Sequence, residues 1–202
     1  MSKIEQNREK KKQAILVAAK VNFLSEGYTA ASMDTIAAEA KLTKQTLYRY
    51  YPSKFELFQA TLEKIGENFS DKYLQHLSLE NSRDALIAFA KEFMTFHLSK
   101  EHIATQRLLI SESTQAPEVV DIFMKTGADN TNRVLREFFV ERYDLPQPDS
   151  KIHLWIGMLL APRSAALLGL STFNAEQINQ HAVEATDLLL CGLSLDTTAQ
   201  TK

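Results

Sequence analysis

The chain has one cysteine, Cys191, so it lacks the partner that an internal disulfide requires. Its apolar LLLCG setting suits a small buried hydrophobe better than a redox sensor. Only five prolines and six glycines punctuate 202 residues, and runs with the strict apolar/polar alternation of a half-buried strand are missing. No GxSxG, glycine-rich phosphate loop or paired metal motif occurs, which leaves an enzyme reading without support. His76, His97, His102, His153 and His181 do not show the four-residue spacing of a helical metal site, so no metal and no cofactor are expected.

Long apolar runs are absent too. The most apolar stretch, Leu154 to Leu170, contains Pro162, Arg163 and two glycines and falls short of the roughly 20 residues a membrane span needs. A buried or interfacial helix is expected there, and no membrane partner. The opening MSKIEQNREKKKQ lacks the apolar core and cleavage site of a secretory leader, so the cytoplasm is the expected compartment.

A hydrophobic content of 45% is ample for a continuous core. The formal charge of −2 is unevenly spread: residues 1 to 64 carry eleven Lys/Arg against seven Asp/Glu, and the remainder twelve against eighteen. A basic head on an acidic body points to nucleic acid or a membrane surface as the partner of the head.

Helical periodicity dominates, and an all-α fold of about nine helices is expected. Ile15, Ala18, Ala19, Phe23 and Leu24 mark a first helix that stops at Gly27, where a positive φ is required. Ser32 caps a second of about two turns, and Thr43 caps a third that runs to about Tyr50 and is stopped by Pro52. Ser53 opens a long fourth helix reaching roughly Leu77, with Phe55, Phe58, Leu62, Ile65 and Phe69 on its apolar side. Further helices are expected over 82–98, 101–112 and 117–143, with Pro117 near N1 and Gly127 as a candidate bend. Asp149 is the expected cap of a helix reaching Leu168 with a kink at Pro162. Asn174 and Gln177 form a capping box for a last helix ending near Gly192, followed by a polar tail.

Chemistry concentrates between Ala40 and Lys54, where three tyrosines and four cations share fifteen residues. Two short helices joined by a tight turn form a helix-turn-helix pattern. Leu42 and Leu47 can pack inward, which leaves Lys44, Gln45, Thr46, Tyr48 and Arg49 for an outward face. Arg, Lys and Gln can hydrogen-bond base edges, Thr can touch a thymine methyl, and Tyr can reach a phosphate. Ser32 and Thr43 stand at helix N-termini, where free N–H groups favour a phosphate. Lys54 is poorly placed for the dipole of its own helix and well placed to clamp a phosphate.

The run EGYTAASMDTIAAEAKLTKQTLYRYYPSKFELF, Glu26 to Phe58, closely resembles the DNA-binding signature of TetR/AcrR-type transcriptional regulators. Gln106 to Gly127, QRLLISESTQAPEVVDIFMKTG, is similar to the C-terminal domain of the AefR-like branch. The resemblance implies a homodimer in which two three-helix heads bind a palindromic operator on double-stranded DNA and release it on binding a small, largely apolar effector. It implies a helix-turn-helix domain over 1–52 and a ligand-binding and dimerisation domain over 53–202. By similarity, Thr43, Tyr48 and Lys54 match phosphate-contacting positions, and Lys44, Gln45, Thr46, Arg49 and Tyr50 match positions facing the groove. Leu47 and Tyr51 match core positions of the head. The sequence departs from the pattern at Lys41, where a turn glycine is usual, and at Gln45, where a small residue is usual.

Phe89, Phe93, Met94, Phe96, Phe123, Met124, Trp155 and Met158 could as a set line an apolar pocket, with Arg107, Glu112 or His153 as polar anchors. Dimerisation is expected through Leu154, Met158, Ala161, Ala165 and Leu168 on one helix and Ile178, Ala182, Ala185 and Leu189 on the last.

Overall fold

The computed structural model describes residues 2–66 and 70–199. Among these, every regular element is helical: α1 (Lys3–Glu26), α2 (Met33–Glu39), α3 (Lys44–Tyr50), α4 (Lys54–Gly66), α5 (Ser70–Leu74) with a 3-10 turn (Gln75–Ser78), α6 (Ser82–His97), α7 (Lys100–Glu112), α8 (Pro117–Tyr143), α9 (Asp149–Leu160), α10 (Arg163–Leu167) and α11 (Ala175–Ala199). The chain divides into two compact units. One takes in α1 to α4 with residues 104–126, and the other takes in α5, α6, α9 to α11 and the remaining parts of α7 and α8.

In the first unit, Ser2 and Glu5 close a capping box on α1, and Gly27 ends the helix at φ 86°. The buried face of α1, Ile15, Leu16, Ala18, Ala19 and Phe23, packs with Ile36 and Ala37 of α2, Leu47 of α3 and Leu57, Phe58 and Leu62 of α4. Phe58 stands edge-on to both Phe23 and Tyr28, with ring centres 5.0 Å apart in each pair. Leu108 and Leu109 of α7, Ala116 of the connection after it and Val119 of α8 join the same core. Each fully buried large side chain contributes about 1.5–3 kcal/mol, so these residues belong energetically to the head core although they lie far along the chain.

The second unit is built around Phe89, Phe93 and Met94 of α6, Leu135 and Phe139 of α8, Trp155 and Leu159 of α9, and Ile178, Ala182, Ala185 and Leu189 of α11. Arg83 on α6 holds the Asp187 carboxylate of α11 through two guanidinium nitrogens, at 2.8 and 2.9 Å.

Several expected boundaries move. Of the helix foreseen from Ser53 to Leu77, the described parts are α4 to Gly66 and α5 from Ser70, with α-helix giving way after Leu74 to the 3-10 turn that holds Leu77; residues 67–69, Phe69 among them, lie outside the described residues. The single kinked helix over 149–168 is two helices. Pro148, not Asp149, sits at the N-cap of α9, and Pro162 separates α9 from α10. A proline cannot donate to the carbonyl four residues back, here that of Met158. That carbonyl is taken instead by the Ala161 N–H at 3.2 Å and by His181 Nε2–H of α11 at 2.8 Å. The capping box of Asn174 and Gln177 forms as expected, with bonds of 2.9 and 3.0 Å. However, α11 runs through Gly192 to Ala199. One interior glycine costs a helix only about 1 kcal/mol, too little to stop it. Cys191 is exposed, contrary to the burial expected of it.

Candidate nucleic-acid interface

The candidate interface is set by two caps and one turn. Ser32 Oγ accepts from the Asp34 N–H at 3.2 Å, and Thr43 Oγ1 accepts from the Thr46 N–H at 3.2 Å. Between them the Leu42 N–H donates to the Ala37 carbonyl (2.9 Å) and the Lys41 N–H to that of Ala38 (3.0 Å), which is the Schellman pattern. This pattern places Lys41 at C′ with φ 56°. A side chain in that left-handed conformation costs roughly 1 kcal/mol relative to glycine, a strain the turn carries in full.

The turn directs Leu47 (0% exposed) and Tyr51 (7%) into the core, with Leu42 half-buried against it. Burial, then Glu9 and Glu63, push the Tyr51 phenol up to about 12, so it stays neutral. Lys44, Gln45, Tyr48 and Arg49 are exposed on α3, Thr46 is half-buried, and Ser32 and Thr43 are exposed at their caps. Tyr50, expected toward the groove, is half-buried and packs on the core of the head. Lys44 Nζ lies 2.7 Å from Asp34 of α2 and 5.9 Å from the centre of the Tyr48 ring. The hydrogen bond to Asp34, then its charge, raise the Lys44 pKa.

Lys54, the first residue of α4, is half-buried. Its ammonium donates to the carbonyls of Thr29 (2.9 Å) and Ala31 (3.2 Å) and lies 4.9 Å from the centre of the Tyr28 ring. An ammonium has three donors, so one remains for a phosphate. Desolvation, then Glu118 and Glu112, push the Tyr28 phenol up.

The residues expected to line a pocket are shared between the two units. Phe93, Met94 and Trp155 are buried in the second unit's core with Phe96 and Met158 against it, while Phe123 packs in the core of the first unit. Arg107 and His153 are exposed, and the side chain of Met124 lies outside the described residues. Glu112, considered as a pocket anchor, instead accepts from the Thr29 N–H at 3.2 Å and from the Thr29 hydroxyl. In the sequence Gly27 reads only as a helix stop, with no sign of this pairing.

Of the expected dimer face, Leu154, Ala161 and Leu168 are exposed and Met158 and Ala165 half-buried. Ile178, Ala182, Ala185 and Leu189 are at most 8% exposed and pack inside their own chain, so that face of α11 is already occupied. Among the described side chains of α11, Leu188, 65% exposed, is the large apolar one left outside.

Residues 15–61 match the model of bacterial regulatory proteins of the tetR family, and residues 84–145 match that of the AefR-like transcriptional repressor C-terminal domain. The transcriptional activator FasR of Mycolicibacterium smegmatis is 33% identical over 112 residues, which cover 55% of this chain and half the length of that regulator. The transcriptional repressor KstR of Mycobacterium tuberculosis is 29% identical over 169 residues, covering 78% of this chain and 72% of KstR. Among solved structures, the flavonoid-responsive regulator FrrA is 29% identical with a TM-score of 0.73, covering 90% of this chain and 96% of that one.

Proposed function

This chain belongs to the tetR family of bacterial regulatory proteins, whose members are DNA-binding transcriptional regulators, and on that premise we propose that it is a ligand-responsive repressor released from a palindromic operator by a small, largely apolar effector. The observation that carries the reading is the capped α2–turn–α3 pair with Lys44, Gln45, Tyr48 and Arg49 outward and Leu47 inward. Lys44, Gln45, Thr46 and Arg49 are the groove-facing candidates, with Tyr50 at their edge. Ser32, Thr43, Tyr48 and Lys54 are the phosphate candidates.

Residues 1–52 form the proposed DNA-binding domain and 53–202 the effector and dimer domain. The likeness to a flavonoid-responsive regulator favours an aromatic effector, with Phe96 and Met158, half-buried at the edge of the aromatic core, as its proposed contacts. Leu154, Ala161 and Leu168 together with Leu188 are the proposed dimer contacts, since each is exposed in the single chain. Among the described residues no helix is long and apolar enough to cross a membrane, and the cytoplasm is the proposed compartment.

An activator is the second reading, favoured by the match to FasR. Selection of duplexes from a random pool tests the first part: enrichment of an inverted repeat is expected, and a pool that stays random refutes operator binding. A reporter placed behind the enriched site then falls for a repressor and rises for an activator.

A further inference from the structure

Glu112 closes α7 within the unit that holds α1 to α4, yet it is only 7% exposed, and none of the DNA-facing candidates lies near it in sequence. A buried carboxylate must find donors or lose several kcal/mol to desolvation. Glu112 finds them on Thr29, in the turn between α1 and α2: the N–H at 3.2 Å and the hydroxyl. Gly27 makes the approach possible, because a Cβ there would stand 2.7 Å from Glu112 Oε1 and its φ of 86° is itself unfavourable for a side chain. The carbonyl of the same Thr29 accepts from Lys54 Nζ at 2.9 Å. One peptide segment is therefore held from two sides, by α7 through its N–H and by α4 through its C=O.

We propose that Glu112 is a positioning residue for DNA binding: by gripping Thr29 it fixes the α1–α2 turn whose carbonyls aim the Lys54 ammonium at the DNA backbone. The inference rests on the reading of Lys54 as a phosphate contact. It gives α7, which begins in the second unit and ends in the first, a direct hold on the DNA-binding head.

The test uses the full-length chain, a duplex enriched from a random pool, and affinity measured over a range of salt. Glu112→Ala should bind about tenfold more weakly, the effect of one lost charge-assisted hydrogen bond, and its log K against log salt slope should shrink by about one unit, as for a missing phosphate contact. Glu112→Gln and Thr29→Ser keep an acceptor or a hydroxyl in place and should restore both values. Lys54→Ala should shrink the slope alike, and the double variant Lys54→Ala/Glu112→Ala no further.

Wild-type affinity and slope in a folded Glu112→Ala chain overturn the inference. If that chain does not fold, Thr29→Val, which removes only the hydroxyl donor, takes its place: weaker binding with a reduced slope supports the inference, and wild-type values overturn it. An unchanged slope in Lys54→Ala overturns the phosphate reading and the route through it. A normal Lys54→Ala effect beside a silent Glu112→Ala overturns the positioning role alone.

Discussion

At the scale of single residues, α3, the proposed recognition helix, is tied to its neighbour α2 in the free chain. Lys44 is tied to Asp34, an acid at the start of α2 beside the proposed phosphate path. Both groups are more than half exposed, so the pair adds little to stability, but it occupies one of the cations proposed to face the groove. Asp34→Asn should therefore tighten binding to every sequence and steepen the salt slope by about one unit, while discrimination between sites falls. Titration against the selected site and a scrambled duplex checks this; unchanged binding to both would mean that Lys44 makes no contact. This pairing was not legible in the sequence. Asp34 and Lys44 lie on separate helices, and only the Schellman turn at Lys41 brings them together. The inward assignment of Leu47 was legible, because a seven-residue helix with mostly polar neighbours leaves one apolar side, whereas that of Tyr51, at the C-cap, came from the family resemblance.

At the scale of elements, local signals read well and long-range ones did not. Ser32, Thr43 and the Asn174–Gln177 box mark helix starts through bonds that span two or three residues, and Pro117 marks one through its fixed φ and missing N–H, all of which the sequence states directly. The break at Pro162 depends on a partner more distant in the chain, since His181 of α11 takes the carbonyl that proline leaves open. His181→Leu removes that donor and should lower stability by about 1–3 kcal/mol, read as a lower denaturant midpoint with an unchanged slope. A variant as stable as the parent would show that the Met158 carbonyl is satisfied otherwise. The inward face of α11 was misread for a related reason. Its Leu188-Leu189-Leu190 run places apolar groups around more than half the helix at 100° per residue, so periodicity alone could not separate the core side from the outer side.

At the scale of the whole molecule, the two compact units differ in what they hold. The first carries the basic surface candidates and the second an aromatic core beside a packed histidine pair, His102 buried and His97 half-buried. His97 and His102 stand with ring centres 4.6 Å apart beside Phe93 and Phe96, and His97 Nδ1–H donates to the Phe93 carbonyl at 2.8 Å. Burial lowers His97 to about 4, with Arg163 adding to the effect. It lowers His102 to about 3, helped by His97 and Arg163. Between the ordinary value of 6.5 and the lowered values of about 4 for His97 and about 3 for His102, the unfolded chain takes up protons that the folded chain refuses. Stability should therefore fall as pH drops through that window and recover above it. Thermal melts of the parent and of a His97→Gln/His102→Gln chain check this: the double variant should lose much of the slope, and parallel curves would contradict the burial of neutral imidazoles.

The all-helical architecture and the capped α2–turn–α3 pair were both legible from sequence, whereas the hold of Glu112 on Thr29 was not, because the pair is separated by 83 residues and announced by no motif. The central claim is sequence-specific, largely electrostatic DNA binding by the α2–α3 head. It is tested most directly by titrating the full-length chain, across about 50–200 mM salt, against its own upstream DNA and a scrambled duplex of equal length. Both affinities should fall linearly in log salt, with the upstream site tighter by about a thousandfold or more throughout. Equal affinity for the two duplexes at every salt concentration would contradict it.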